Sequence, residues 1–310
     1  MHDPQPQFAP RPGVPLDLAP GLRRILAPNP SLMTFRGTNT YLVGEAEIAV
    51  VDPGPDDDAH LGAIMAAIAG ARVRAILVTH AHLDHSPLSR RLSQLTGAPV
   101  CAFGDARAGR SDTMTRLVAL GLSSGGEGID HGFAPDVALG DGDTVSGDGW
   151  TLQALHTPGH LGNHLCFAWE DALFSGDVVM GWASSLVSPP DGDMTDYLAS
   201  LDRLAQQCWS AFHPGHGAPV MDPAERLAAL TAHRKTREAQ ILAALTASGA
   251  TAPALACRIY VDTPPSLLPA ATRNVFAHLL DLRSRNKVSG PPDANENTRF
   301  FPVSAHPVQS

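Results

Sequence analysis

Residues 78–85 read VTHAHLDH, which crowds three histidines and an aspartate into one short stretch directly after an apolar run. Imidazole is, with thiolate, the commonest zinc ligand, and catalytic zinc keeps one coordination position open for water or substrate. In an extended turn His80 and His82 can converge on one ion while Asp84 and His85 turn toward a second. Two ions need further ligands, and three later strand ends offer them: HTPGH around His160, FSGD ending at Asp177 and HPGHG around His216. Each follows an apolar run and contains glycine, which lets the backbone bend sharply and approach closely. The expected arrangement is His80, His82 and His160 on one metal and Asp84, His85 and His216 on the other. Asp177 would lie between them, because a carboxylate has two acceptor oxygens.

The chemistry suited to such a centre is hydrolysis. Water held between two cations ionises near neutral pH, and metals roughly 3.5–4 Å apart clamp both attacking and leaving oxygens. The expected nucleophile is a metal-bridging hydroxide, with Asp84 as the catalytic group that orients it and accepts its proton. Two divalent ions per chain are expected, zinc first, with manganese or iron as alternatives. Ligating imidazoles usually donate their second N–H to an acceptor. Asp52 is a candidate for that role, and His156, His164 and His213 flank the ligand motifs and could support them. Ser188 and Tyr197 are candidate substrate contacts, although Tyr197 equally fits a helix's apolar stripe. The other histidines, His2, His60, His131, His233, His278 and His306, are assigned to surface or packing.

The elements that must position these groups are legible as patterns. NTYLVG and EIAVVD read as paired strands, and DDDAHLGAIMAAIAG as a helix with acidic residues at its start and Leu61, Ile64, Met65 and Ile68 on one face. RAILVTH reads as a buried strand that delivers His80 at its end, followed by the helix SPLSRRLSQLTG, so the crowded motif occupies a strand-to-helix turn. Residues 104–148 read as a glycine-rich loop region with one short helix. Strands WTLQALH, HLCFAWE and DALFSGD follow, then a helix with Met194, Tyr197, Leu198, Leu201 and Leu204 in a stripe. Interleaved strands and helices imply layers. From Pro223 the pattern turns helical, and residues 288–304 read as a terminal β-ribbon. The expected division is a proline-rich arm over 1–30, a catalytic domain over 31–222 and a small helical, winged-helix-like domain over 223–310.

With 310 residues and 44% hydrophobic content, the chain can bury a substantial core. A net charge of −9 disfavours a broad nucleic-acid or anionic-membrane footprint. No apolar run reaches the roughly 20 residues that cross a bilayer, and the start has no signal-peptide pattern, so a cytoplasmic location and no membrane partner are expected. Cys101, Cys166, Cys208 and Cys257 are scattered, without a CxxC pair, and are expected to be buried free thiols.

THAHLDH, HTPGH, SGD and PGHG, in that order over residues 79–217, resemble the metallo-β-lactamase superfamily. The resemblance implies an αββα sandwich with metals at the shared edge of two sheets, and it carries all the ligand positions named above. FRGTNTYLVG, AVVDPG, GDMTDYLASLDRL, HRKTREAQIL and LPAATRNVFAHLLDL extend it to the β-lactamase-like subgroup that ends in a winged-helix-type domain. That subgroup includes endoribonucleases and many uncharacterised bacterial hydrolases.

The leading expectation is therefore a binuclear hydrolase acting on a small ester, thioester or lactam-like molecule. A single-strand-specific endoribonuclease is the alternative, favoured by Arg273, Arg283, Arg285 and Lys287 and opposed by the acidic total and by the absence of a large insertion between Asp177 and His216. A mononuclear iron enzyme that oxidises sulfur is a further alternative. The cluster Arg234, Lys235 and Arg237 could meet an anionic substrate, but a solvated helix face is preferred. For the C-terminal domain, packing or homodimer contacts are preferred over DNA binding because Asp281 interrupts its basic helix.

Overall fold

A computed structural model of the chain describes residues 3–123 and 128–303. The first sheet has seven strands in sequence order: β1 (Leu16–Ala19), β2 (Leu22–Leu26), β3 (Asn39–Val43), β4 (Glu47–Val51), β5 (Arg72–Leu77), β6 (Val100–Ala102) and β7 (Val137–Ala138). The first four strands run antiparallel, and β4 to β7 pair in parallel. Helices α1 (Asp58–Ala67), α2 (Leu88–Thr96) and α3 (Asp112–Ala119) lie in the connections. The second sheet runs β12-β11-β10-β9-β8, formed by β8 (Thr144–Gly147), β9 (Trp150–His156), β10 (Leu165–Trp169), β11 (Ala172–Gly176) and β12 (Ala211–Pro214), with α4 (Met194–Leu204) between the last two. Then come α5 (Pro223–Ala244), α6 (Ala252–Ile259), α7 (Leu268–Ser284) and a two-stranded ribbon, β13 (Val288–Ser289) with β14 (Phe301–Pro302).

The strand period of two explains the layers. On β4, Ala49 and Val51 face the second sheet's Trp150, Leu152 and Phe167, while Ile48 and Val50 face the helix side with Ile64, Leu88 and Leu92. Cys166, Leu173 and Phe212 on the far face of the second sheet pack on Tyr197, Leu201 and Leu204 of α4. Helix, sheet, sheet, helix is thus the layer order, as the sequence resemblance implied. Helix α5 belongs to two cores: Leu227 and Leu230 pack with α4, and Ile241 packs with α6 and α7.

Three expectations change. The proline-rich arm over 1–30 contains two strands of the first sheet, β1 and β2; Leu22, Ile25 and Leu26 are fully buried there. Its prolines lie outside β2, so they do not interrupt the ladder. Of the cysteines, Cys101 and Cys166 are buried but Cys208 and Cys257 are exposed. Cys257 lies beside the buried Leu255 and Ala256 on α6, yet one residue further round the helix it turns outward. Arg234 is buried, not on a solvated face: it packs over the Tyr197 ring at 4.9 Å and donates to the Ser185 carbonyl. His2, His306 and residues 124–127 of the LSSGGEGIDHG loop lie outside the described residues.

Candidate metal centre

The crowded motif begins just beyond the end of β5, and strands of the second sheet deliver the rest to the same edge. HTPGH follows β9, Asp177 follows β11 and His216 follows β12. Asn39 on the first sheet draws the last of these in, donating from Nδ2 to the carbonyls of Pro214 at 3.0 Å and Gly217 at 2.9 Å. The glycines have specific work. A Cβ at Gly215 would lie 2.5 Å from Asp177 Oδ1, and one at Gly159 would lie 2.3 Å from the Tyr197 Cα.

The expected ligands come together in three overlapping groups: His80, His82 and His160; Asp84, His85 and His216; and His80, His85 and Asp177. His82 Nδ1 stands 2.9 Å from His80 Nε2 and 3.1 Å from His160 Nε2. His216 Nε2 lies 3.1 Å from Asp84 Oδ2, 3.3 Å from Asp177 Oδ2 and 3.3 Å from His85 Nε2. Asp177 reaches both sets, with Oδ1 3.6 Å from His85 Nε2 and Oδ2 3.8 Å from His160 Nε2.

Hydrogen bonds on the outer side fix the tautomers. His160 Nδ1 donates to the Leu186 carbonyl at 2.7 Å and His216 Nδ1 to the Gly37 carbonyl at 3.1 Å, since a carbonyl can only accept. His85 Nδ1 donates to Asp52 Oδ2 at 2.9 Å. The Thr79 hydroxyl gives its proton to the same Asp52 oxygen at 2.8 Å, so it accepts from His80 Nδ1 at 2.9 Å. With Nδ1 holding a proton in each, it is Nε2 that all four rings turn inward, and on His80 and His160 a neutral ring leaves that nitrogen a bare lone pair. His82 Nδ1 carries at most one proton for two such neighbours, and Asp177 Oδ1 is buried without a hydrogen-bond partner among the described residues. Converging lone pairs and an orphaned carboxylate oxygen fit cations and fit little else.

The electrostatics divide the cluster. Burial, reinforced by neighbouring imidazoles, pushes His80 well below its ordinary range and His82 down to about 3. Burial would also lower His216, but Asp177 and Asp84 overcome it and push the group up to about 10; His85 is likewise raised by Asp84, Asp177 and Asp52. Burial opposes ionisation of Asp84 and Asp177, yet the facing His85 and His216 hold both carboxyls low. His80 and His82 thus offer neutral nitrogens, whereas the carboxylates around His85 and His216 demand positive charge.

Of the expected supporting residues, Asp52 and His164 touch the cluster. Asp52 also accepts the Thr79 N–H at 2.7 Å, and His164 Nε2 accepts the Asp177 N–H at 3.2 Å. His156 and His213 do not. His156 stacks on Phe103 at 3.9 Å and bonds the Gly162 carbonyl, while His213, on β12, packs between Tyr41 and Phe174 in the inter-sheet layer. Tyr197 is fully buried and donates to the Val178 carbonyl at 3.1 Å, so the helix stripe claims it rather than a substrate. Ser188 lines the cavity above the cluster, its hydroxyl without a partner among the described residues. That cavity has a volume of about 740 Å³ and has His82, Asp84, His160, Asp177 and His216 in its lining. The sequence reading missed Thr79, whose adjacency to His80 was a usable signal, and Leu186, whose carbonyl role no residue type announces.

Of the expected basic RNA contacts, Arg273 pairs with Glu296 at 2.5 Å and Arg285 with Glu238 at 2.6 Å. No helix among the described residues is long and apolar enough to cross a membrane.

Comparison with known proteins agrees with this geometry. Residues 33–216 match the metallo-beta-lactamase superfamily, and residues 251–293 match the beta-lactamase associated winged helix domain. The "Beta-lactamase-like protein 2 homolog" of Drosophila melanogaster is 30% identical over 91% of this chain and 94% of its own length. An "Atrochrysone carboxyl ACP thioesterase" of Aspergillus fumigatus is 30% identical over 74% of this chain, which spans 66% of that longer protein. Among solved structures, a metallo-beta-lactamase family protein from Thermus thermophilus superposes with a TM-score of 0.72 at 27% identity, covering 93% of this chain and all of the other. The chain belongs to the metallo-β-lactamase superfamily of hydrolases and carries that superfamily's associated winged-helix domain.

Proposed function

We propose that the chain is a binuclear, zinc-dependent hydrolase of esters or thioesters, with His80, His82 and His160 holding one ion, Asp84, His85 and His216 the other, and Asp177 between them. The observation that carries this reading is the convergence of the Nε2 atoms of His80, His85, His160 and His216 on one cluster, each ring fixed through Nδ1 by an outer acceptor. The bound ions would supply Lewis-acid chemistry, polarising a carbonyl oxygen and acidifying water.

The chain's own residues do the rest. Asp84 is the one carboxylate of the cluster that is part-exposed, with its side chain 26% accessible, and it faces the cavity. It is placed to orient the attacking water and take its proton. The Ser188 hydroxyl, buried and unpartnered among the described residues, is available to a substrate's polar atom. The thioesterase named among the relatives supports the acyl-transfer class. Of the four basic residues that favoured the endoribonuclease alternative, Arg273 and Arg285 are engaged by Glu296 and Glu238 within the chain.

The test is one hydrolysis panel on zinc- and manganese-loaded protein, comparing a thioester, a lactone, a β-lactam and single-stranded RNA, with His85→Ala as control. Acyl turnover that the substitution abolishes supports the reading. RNA cleavage lost in the same variant, with the acyl compounds untouched, overturns it.

A further inference from the structure

We infer that the cavity over the metal cluster accepts a bulky, uncharged, apolar acyl group, and that the C-terminal domain supplies the wall that gauges its size. This rests on the hydrolase reading above and narrows it to thioesters or esters whose acyl part is much larger than a two-carbon unit.

The cavity, at about 740 Å³, is far larger than the hydrolytic centre needs and falls within the range of sites that enclose whole drug-sized ligands. The cluster lines one part of it. Another part comes from a region with no ligand in it: Tyr260 at the end of α6, Leu267, and Ala270 and Ala271 on the first turn of α7. Leu32, Met33 and Leu83 also line it and remain 47–51% exposed. Three large apolar side chains left half in water around one opening form the kind of patch that soluble proteins keep for binding.

Charge narrows the occupant. No lysine or arginine among the described residues lines the cavity; its ionised groups, apart from the histidines, are Asp84, Asp177 and Asp191. Asp191 is paired with Arg110 at 2.8 Å, so a phosphodiester or free carboxylate would meet Asp84 and Asp177, with the metal ions and neutral donors such as the Ser188 hydroxyl to receive it but no cationic side chain of the lining. An apolar acyl chain gains by leaving water for the Leu and Ala surfaces. The small side chains at positions 270 and 271 leave the depth that a long or fused-ring acyl group requires.

The reaction balances as simple hydrolysis. Water adds to the acyl carbon, the carbon–sulfur or carbon–oxygen bond breaks, and the leaving thiol or alcohol takes a proton.

The experiment uses full-length zinc-loaded protein and S-acyl-N-acetylcysteamine thioesters carrying acetyl, decanoyl or dodecanoyl groups. The expected kcat/KM for decanoyl exceeds that for acetyl by roughly tenfold or more, and Ala270→Phe lowers that ratio by a similar factor. Leu267→Ala deepens the same wall and moves the optimum toward dodecanoyl, which keeps the test available if the larger side chain prevents folding. A wild-type ratio near one, or a ratio and optimum that neither substitution moves, overturns the inference while the hydrolase reading stands. Lack of turnover of every thioester with zinc bound, and of the lactone and β-lactam of the panel above, instead sinks the hydrolase reading. The cavity is then tested by calorimetric binding of S-decyl-N-acetylcysteamine, a thioether that cannot be hydrolysed: binding that Ala270→Phe weakens by roughly tenfold supports the inference, and absent or unaffected binding overturns it.

Discussion

Asn274, on α7, accepts the backbone N–H of Val187 at 3.1 Å, across 87 residues of sequence. Arg234 reaches the same Asn274 oxygen at 3.3 Å and also donates to the Ser185 carbonyl. Between those two anchor points lies Leu186, whose carbonyl receives His160 Nδ1–H at 2.7 Å. The C-terminal helices thereby hold the segment that orients one imidazole of the centre.

Asn274→Ala should leave the buried Val187 amide unpaired, at a cost of roughly 1–3 kcal/mol in unfolding free energy. It should also weaken zinc at the His80, His82 and His160 set by roughly tenfold, the usual penalty for losing an orienting contact. Urea denaturation and a competitive-chelator titration check the two effects separately. Lowered stability with unchanged zinc affinity would break the proposed link to His160.

Asp52 gathers three donors, the Thr79 amide, the Thr79 hydroxyl and His85 Nδ1, at 2.7, 2.8 and 2.9 Å. Asp52→Asn replaces one accepting oxygen with a donor and sets an N–H against one of them. Loss of metal affinity or activity by roughly 10–100-fold is expected. Zinc content after dialysis and kcat/KM on a confirmed substrate are the readouts; wild-type values for both would show that Asp52 is a turn residue only.

Metal removal should act on stability as well as on turnover, because ions that bind only the folded chain stabilise it. At free zinc about 100-fold above Kd the gain is roughly 2.7 kcal/mol. Dipicolinate should therefore lower Tm and abolish hydrolysis together, and zinc should restore both. His82→Ala should shrink the zinc-dependent Tm rise. A Tm indifferent to zinc in the wild-type protein would argue against a preformed site.

His278 on α7 is buried, and neither ring nitrogen has a hydrogen-bond partner among the described residues. Burial, with Arg234, Arg237, His233 and Arg285 adding repulsion, pushes it down to about 3. The unfolded imidazole protonates as pH falls through about 6.5 while the folded one stays neutral, so this contribution to stability is complete above that pH and is lost on acidification toward 3. Between pH 6.5 and 5 the loss amounts to roughly 2 kcal/mol. His278→Leu should flatten the denaturation-midpoint profile over that window relative to wild type. Parallel profiles would show that His278 is not excluded from water.

Local pattern was enough to place at strand ends the histidines and aspartates that the fold gathers into one cluster. His80, His82, Asp84 and His85 share one turn because a buried strand ends and a helix begins there, and that is a short-range alternation of apolar and polar residues. That the chain is layered was legible from its interleaved strand and helix patterns, while the order of the layers came only with the resemblance: the run Ile48 to Val51 is apolar throughout, and only the fold shows which of its side chains face which layer. Relations that depend on distant backbone emerged only once the chain was folded. The Leu186 carbonyl on His160, the Gly37 carbonyl on His216 and the Asn274 clamp on Val187 involve main-chain atoms common to every residue, so no side-chain type marks them in advance. The fates of His156, His213 and Tyr197 were open for a related reason. Proximity in sequence to a ligand does not say which way a side chain turns, and each of these was claimed by packing. The enlistment of residues 260–274 as a wall of the cavity had no local signature either, because a cavity's shape depends on how the C-terminal helices dock against the sandwich.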